Sequence, residues 1–475
     1  SAQADSVPLE ERIYSLMSYA FTFDASACTG CKACQEACRD KNDLPGGVLW
    51  RWVIEVSGGE WQPVGDAWHT SVFAYNLSLA CNHCVHPKCA GVCPADAFHV
   101  RPDGIVLIDQ SKCMGCGYCA WACPYGAPQV LPQQGVMTKC NFCYDDLDAG
   151  LPPSCVAACP LRALDFKSVD DTPAPANRLH LWQIPASAHP FPLPPYSRTE
   201  PHLALKPHPA MASPLEKQVA NREEIRPGLV ARHRRLPARD ELPLVAFTLL
   251  AQMAAGMASG LLALPQVPLP LLLNIGVLLG LGGLISFLHL GRKRNAWRSI
   301  VHLKKSWLSR EILAAGLFGL TWATTVGMAL LQPTPPAWLL ALLPLAALTL
   351  VYSMARVYRL RAVPPWNTWR TPAAFFLSTA VLGALGVHLF TPAPAWSLTA
   401  ALALALELAL ALTASPATPP PFARRRLALL VPALLAALLL DVTGLPLGIP
   451  VFLLALAEEA IGRWQFYAAR PVHRY

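Results

Sequence analysis

Charge is scarce in this 475-residue chain: 14 % of its residues are Asp, Glu, Lys or Arg, against 53 % hydrophobic. That balance excludes one soluble globule. It divides the chain into a polar, cysteine-rich half to about residue 170 and a Leu/Ala-dominated half from about residue 242. No cysteine occurs after Cys159. Residues 1–23 show no apolar core, no twin arginine and no small-residue cleavage site, so no export signal is expected there. The net charge of +8 lies beside apolar runs and not on a folded basic face, which speaks for membrane topology and against a nucleic-acid partner. Histidine is nearly absent from the apolar runs. Only His289 and His388 fall there, His289 at the end nearest the cysteine-rich half and His388 near the far end, so they do not form the axial pair a haem needs.

What is present is concentrated. All 16 cysteines fall between Cys28 and Cys159 in four groups of four: Cys28, Cys31, Cys34 and Cys38; Cys81, Cys84, Cys89 and Cys93; Cys113, Cys116, Cys119 and Cys123; Cys140, Cys143, Cys155 and Cys159. Groups one and three are spaced Cys-x2-Cys-x2-Cys-x3-Cys, and all groups but the first end in Cys-Pro. That is the bacterial ferredoxin run, in which three close thiolates hold one cluster and the fourth reaches another. Sixteen thiolates supply four [4Fe–4S] clusters. A zinc site closes on four ligands and gives no reason for this spacing. Disulfides would require tightly spaced cysteines all to reach bridging geometry with distant partners.

Strands are expected before the first three groups, at 18–24, 70–76 and 104–109, giving a ferredoxin plan used twice. Residues 48–59 read as a hairpin with its turn at Ser57–Gly59, and Trp50, Trp52 and Trp61 as core or partner contacts. Beyond residue 170 the chain is proline-rich without periodicity, an extended linker that turns basic before the first apolar span. Eight apolar segments follow, at roughly 243–264, 268–290, 312–331, 336–357, 371–390, 396–414, 427–441 and 446–467. Most approach the ~20 residues that cross a bilayer. The connections on the side of the cysteine-rich head carry Arg292, Lys293, Arg294, Arg298, Lys304, Lys305, Arg310, Arg359, Arg361, Arg370, Arg424, Arg425 and Arg426, whereas opposite connections such as 265–267 and 391–395 carry no Lys or Arg. The positive-inside rule puts the head and both termini on the cytoplasmic side of the inner membrane.

The expected architecture is therefore an α+β double bacterial-ferredoxin-type domain over 1–170, a linker over 171–240, and an all-α integral membrane bundle of eight transmembrane helices over 241–475. Within that bundle, Glu459 and Arg463 are one helical turn apart and can pair. Glu407 stands mid-span without a partner visible in sequence, which requires a proton on it or a polar cavity beside it.

The four cysteine groups resemble the four-cluster electron-transfer subunit of the dimethyl sulfoxide reductase family, among the complex iron–sulfur molybdoenzymes. The apolar half resembles that family's anchor subunit through Glu241-Leu-Pro-Leu, His289-Leu-Gly-Arg292, Ser306-Trp-Leu-Ser-Arg-Glu-Ile312, Trp366 near Thr371-Pro372, and Glu459-Ala-Ile-Gly-Arg463. Together they span nearly the whole chain as two fused subunits. The resemblance implies crossed ligation: Cys28, Cys31 and Cys34 with Cys159; Cys38 with Cys140, Cys143 and Cys155; Cys81, Cys84 and Cys89 with Cys123; Cys93 with Cys113, Cys116 and Cys119. It further implies that the first cluster faces a separate molybdenum bis-pterin catalytic subunit and that the cluster of Cys93 lies nearest the membrane. The electron partner there would be menaquinone or another quinone.

On that reading His289 hydrogen-bonds a quinol oxygen and Glu311 accepts its proton, with Arg292, Glu459 and Arg463 contributing to the pocket. Both principal residues also have structural readings: a histidine before Gly291 suits a helix C-terminus, and Glu311 after Ser309 suits a helix first turn. Catalytic residues for substrate are expected on the partner chain. The family resemblance implies S- or N-oxide reduction with quinol electrons. The cytoplasmic head and the Ser-Trp-Leu-Ser-Arg-Glu stretch also resemble anchors of sulfite-oxidising complexes that run electrons into the quinone pool, and nitrate or polysulfide reductase relatives stand further off. A redox-linked ion pump would need ionisable groups across the whole bilayer, and here they gather in the head-side half, Glu407 being the main exception.

Overall fold

The alternating stretch before the first cysteine group forms strand β1 (Tyr19–Asp24), whose Ala20, Phe21, Thr22 and Phe23 are all buried. Burial of both faces marks a central strand. In the computed structural model, which describes residues 18–169, 179–180, 193, 199–212, 241–332, 334–413, 420–442 and 446–468, β1 lies in a sheet of order β10-β1-β12-β11. Its partners are β10 (Leu164–Ser168), antiparallel, and β12 (Leu203–Lys206), parallel, with β11 (Leu179–His180) beyond β12. Two strands thus fall inside the segment expected to be extended and without periodicity. β12 is only four residues long and follows prolines, so its apolar Leu203-Ala-Leu205 leaves too short a pattern to read in sequence.

The expected hairpin over 48–59 does not form. That stretch is a single strand, β2 (Trp52–Gly58), paired with β5 (Phe73–Leu79). The residues between them make a separate ladder of β3 (Trp61–Val64) and β4 (Ala67–Thr70). Gly59 is where one ladder gives way to the other: its φ is +82° and a Cβ there would lie 2.1 Å from the Ser71 carbonyl oxygen. Only glycine fits. Trp52 is core, while Trp61 is exposed.

Short ladders β6 (Phe98–Val100) with β7 (Val106–Ile108) and β8 (Gln129–Leu131) with β9 (Val136–Thr138) flank the later cysteine groups. Five helices alternate with the strands: α1 (Ala33–Lys41), α2 (Lys88–Val92), α3 (Tyr118–Ala122), α4 (Tyr144–Asp148) and α5 (Ser154–Ala157). Phe142 stacks on Phe21 with ring centroids 4.1 Å apart and ties the fourth cysteine group to the sheet.

The chain divides between Arg235 and Leu236 into two compact units. The second is helical: α6 (Leu242–Gly260), α7 (Leu269–Leu288), α8 (Trp307–Leu331), α9 (Ala337–Tyr358), α10 (Arg370–His388), α11 (Pro394–Leu412), α12 (Pro420–Leu439) and α13 (Gly448–Ala468). Among the described residues, six of these helices, α6 to α11, are long and apolar enough to cross a membrane. In α12 the apolar part is the shorter Arg426–Leu439, and α13 carries Glu458, Glu459 and Arg463. Eight apolar segments therefore become eight helices, of which six meet the length and composition of spans.

The span of α6 is 72 % buried and that of α10 is 67 %, against 17 % for α8, so α6 and α10 form the bundle interior. Their backbones touch: a Cβ on Gly256 would lie 2.1 Å from the Thr379 carbonyl oxygen and 2.6 Å from Gly383 Cα. Small residues at such a crossing let helices approach closely where lipid offers no hydrophobic driving force.

Candidate functional site

The cysteine loops share a backbone device. Each contains residues with left-handed φ: Gly30 and Lys32 in group one, His83 in group two, Gly115 and Gly117 in group three, Phe142 and Cys143 in group four. Such turns point successive N–H groups inward and suit an anionic centre. Accordingly, backbone amides donate to sulfur from Gly115 to Cys113 at 3.4 Å, from Phe142 to Cys140 at 3.4 Å and from Ala97 to Cys93 at 3.4 Å.

The fourth cysteine of groups two and three leaves its helix. Cys93 and Cys123 adopt extended backbone, at ψ 116° in both, because a following proline disfavours the helical conformation. Cys38 lacks a following proline and stays within α1, one turn from Cys34. The resulting neighbourhoods are crossed. Cys28, Cys31, Cys34 and Cys159 line one cavity, and Cys81, Cys84, Cys89 and Cys123 line another. Cys143 and Cys155 are within electrostatic reach of Cys38, and Cys38, Cys81 and Cys143 are within reach of Cys140. Cys93 and Cys113 stand near both Cys116 and Cys119.

Desolvation pushes the Cys123 thiol up to about 11 and those of Cys38 and Cys116 up to about 12, with neighbouring thiols acting in the same direction. Without a cation these groups are held as neutral thiols. Four convergent sulfurs fit an iron–sulfur cluster, whose iron supplies the positive charge they lack.

Sequence reasoning missed two buried cations among the sulfurs. Arg51 is 2 % exposed, with Cys155, Cys34, Cys140 and Cys38 as the thiols nearest in electrostatic reach. Its Nη1 donates to Ser78 Oγ at 3.1 Å, and the same hydroxyl is 3.3 Å from Cys34 Sγ, whereas Nε and Nη2 have no partner. Lys139 lines the second cavity, and its Nζ donates to the carbonyl of Cys140 at 3.0 Å and to that of Val106. The only signal in sequence was position, Arg51 between Trp50 and Trp52 just before β2 and Lys139 beside Cys140.

In the helical unit, His289 caps the C-terminus of α7, half-buried, beside the Ser286 backbone, with Nδ1 enclosed and without a hydrogen-bond partner among the described residues. Arg292 follows in the connection before α8, also half-buried. Glu311 is buried in α8, but the cap of that helix is Ser306, whose Oγ accepts from Ser309 N at 3.4 Å. Glu311 therefore lies beyond the capping turn and its burial is not explained by a cap. No hydrogen bond or ion pair joins His289 to Glu311 among the described residues. Glu311 is within electrostatic reach of Tyr358 and Tyr467, whose hydroxyls are 2.6 Å apart and which are also within reach of Arg463.

Glu459 and Arg463, which helical spacing allows to pair, make no direct hydrogen bond or ion pair among the described residues and are linked through Ser378. Glu459 Oε2 accepts from Ser378 Oγ at 2.7 Å, and Arg463 Nη2 reaches that hydroxyl at 3.3 Å and Gln252 Oε1 at 2.8 Å. The guanidinium also lies over Phe375, 3.8 Å from the ring centroid, which draws it toward α10 and α6 and away from its own helix neighbour. Glu407 is not isolated: it accepts from Arg426 Nη2 at 2.9 Å, within two turns of the C-terminus of α11. Arg426 looked like a loop charge in sequence, yet it lies inside α12 with its side chain turned into the bundle.

Residues 72–169 match the family model of the 4Fe-4S dicluster domain, and residues 238–417 that of the DMSO reductase anchor subunit (DmsC). A chain of the anaerobic dimethyl sulfoxide reductase of Escherichia coli (strain K12) is 47 % identical over 190 residues, covering 40 % of this protein and 89 % of the relative. The chain is a member of the dimethyl sulfoxide reductase family. Other similar members are a putative dimethyl sulfoxide reductase iron-sulfur subunit of Halobacterium salinarum, 37 % identical over 33 % of this protein and 68 % of the relative, and the thiosulfate reductase electron transfer subunit PhsB of Salmonella typhi, 38 % identical over 32 % and 78 %. This member of the dimethyl sulfoxide reductase family joins in one polypeptide an iron–sulfur segment and an anchor segment that separate models describe.

Proposed function

We propose that this chain carries electrons between a quinone in the membrane and a separate molybdenum bis-pterin subunit that performs S- or N-oxide reduction. The observation that carries the reading is the crossed set of four cysteine neighbourhoods in a chain that continues into an anchor bundle. Four [4Fe–4S] clusters, when bound, supply one-electron carriers. The residues that would hold them are Cys28, Cys31, Cys34 and Cys159; Cys38, Cys140, Cys143 and Cys155; Cys81, Cys84, Cys89 and Cys123; and Cys93, Cys113, Cys116 and Cys119. Amide donors to Cys93, Cys113 and Cys140 and the cations of Arg51 and Lys139 favour added negative charge at these sulfurs.

In the bundle, the enclosed Nδ1 of His289 binds a quinol oxygen and Glu311 takes the proton from it. Arg292 orients the headgroup, and Glu459 and Arg463 form the wall behind it. All eight helices cross the inner membrane, with the iron–sulfur domain on the cytoplasmic side, following the distribution of Arg and Lys in the connections. The domain limits follow the composition: 1–170, a linker over 171–240, and 241–475.

The test is the purified complex. Iron and acid-labile sulfide should give four clusters per chain, and reductive titration with paramagnetic resonance should resolve them. Two clusters per chain would refute the ligation scheme. The large subunit that co-purifies should contain a bis-pterin molybdenum centre, and replacing His289 by Leu should abolish binding of a quinol analogue while the cluster signals remain.

A further inference from the structure

Three carboxylates meet where α11, α12 and α13 pack. One oxygen each of Glu407, Glu458 and Glu459 lie within 4.8 Å of one another, and the residues are 2 %, 0 % and 2 % exposed. Among the described residues a single cation touches them: Arg426 donates to Glu407 Oε2 at 2.9 Å and to Glu458 Oε1 at 2.7 Å. Arg463 of α13, the other cation, is reached only through Ser378 of α10, and Gln252 of α6 holds it from the far side. One oxygen on each carboxylate, Glu407 Oε1, Glu458 Oε2 and Glu459 Oε1, is buried with no hydrogen-bond partner among the described residues.

The charge count does not close. Three buried carboxylates face one direct guanidinium and one indirect one, so full ionisation leaves net negative charge in a medium that solvates it poorly. The orphaned oxygens state the same deficit in hydrogen bonds, because an ionised carboxylate accepts only and three acceptors cannot satisfy one another. A proton removes both faults: it lowers the charge and makes one carboxyl a donor. Glu407 and Glu459 are placed to hydrogen-bond to each other once one is protonated. A divalent cation fits less well, since Arg426 already occupies an oxygen on two of the three would-be ligands.

We propose that Glu407, Glu458 and Glu459 form a proton-holding site in the bundle, loaded with at least one proton at rest and exchanging a proton with the quinone reaction. The exchange rests on the quinone reading above; the resting proton does not. From Glu311 the polar groups continue through Tyr358 and Tyr467 to Arg463, Ser378 and Glu459. Oxidation of a quinol breaks two O–H bonds and releases two protons and two electrons. The electrons go to the iron–sulfur carriers, one proton goes through Glu311 to form an O–H bond on a carboxylate of the cluster, and the second leaves to water. Reduction of a quinone reverses each step. Glu407 and Arg426 lie within two turns of one end of their helices, whereas Glu458 and Glu459 lie at the middle of α13, so the site holds its proton inside the bundle.

Infrared difference spectroscopy of the intact complex tests this. The wild type at neutral pH should show a protonated-carboxyl C=O band that shifts in D2O, that is lost in Glu459→Gln and in Glu407→Gln, and that is retained in Glu311→Gln. Addition of menadiol should change its amplitude. If either cluster variant fails to assemble, a D2O-sensitive band that persists in Glu311→Gln still decides the resting proton. Absence of that band, or its persistence in both assembled variants, overturns the proposal. So does one tightly bound divalent ion per bundle that Glu459→Gln releases. A resting band that meets the variant test in a complex unable to oxidise menadiol would leave the proton site standing and refute the quinone reading and the exchange.

Discussion

Replacing Arg51 by Met should lower the reduction potential of the first two clusters. The guanidinium is buried on the strand β2 side of the sulfurs, with Cys34 belonging to one cysteine set and Cys38, Cys140 and Cys155 to the next. Each reduction adds one negative charge, so a fixed cation stabilises the reduced form, and its removal moves the potential down. At about 7 Å and an effective dielectric near 20, a unit charge contributes about 2.4 kcal/mol. For a one-electron couple that corresponds to about 100 mV. Loss of the bond from Nη1 to Ser78 Oγ frees that hydroxyl for Cys34 and offsets part of the change, so a fall of about 50 to 100 mV is expected at one or both clusters. Arg51→Lys keeps the charge and should shift the same couples by roughly a third as much. The assay is a redox titration of the complex followed by paramagnetic resonance, with cluster content measured in parallel. Unchanged midpoints in a fully loaded Arg51→Met complex, or an equal shift in Arg51→Lys, would refute the electrostatic reading.

Other consequences can be measured separately. Glu311→Gln should slow quinol oxidation by about a hundredfold or more, in the range of a lost general base, with cluster signals intact; unaltered turnover would place the proton acceptor elsewhere. The apo protein should lose stability as pH rises from about 9 to about 11. Cys123 releases its proton near 9.0 when unfolded but near 11 when buried, so the folded form holds more protons in that window and stability falls through it, by about 2 to 3 kcal/mol for this thiol. Denaturant titrations of apo protein at pH 8 and pH 11 measure it, and a flat profile contradicts the burial. Gly256→Ala should destabilise the bundle by about 2 kcal/mol, because the new methyl meets backbone of α10. Gly280→Ala, with nothing within 4 Å of its Cβ position, should not, and unfolding curves in detergent compare the two.

Sequence was most informative where chemistry needs fixed spacing along the chain. The cysteine runs have that property, because three thiolates on one tight loop are local. The neighbour sets then follow from a second local rule, the extended backbone that proline imposes on Cys93 and Cys123. The apolar segments were legible for the same reason, since length and hydropathy are summed along a helix. What stayed hidden depends on contacts between elements distant in sequence. β12 becomes a core strand only because β1 lies beside it, and the β2–β5 ladder skips a complete hairpin, which local alternation cannot show. The same limit explains the bundle. Glu407 seemed unpartnered because its cation, Arg426, sits on the next helix among three successive arginines, and Glu459 seemed paired with Arg463 because helical spacing permits it while Ser378, Gln252 and Phe375 draw the guanidinium elsewhere. Polar residues inside an apolar bundle are thus easy to find from sequence and hard to assign, because the low dielectric makes each depend on whichever neighbour the packing supplies. Once those neighbours are known, Glu407 ceases to be an isolated charge: it shares Arg426 with Glu458, so its protonation is set by the carboxylate cluster and not by its depth in the span.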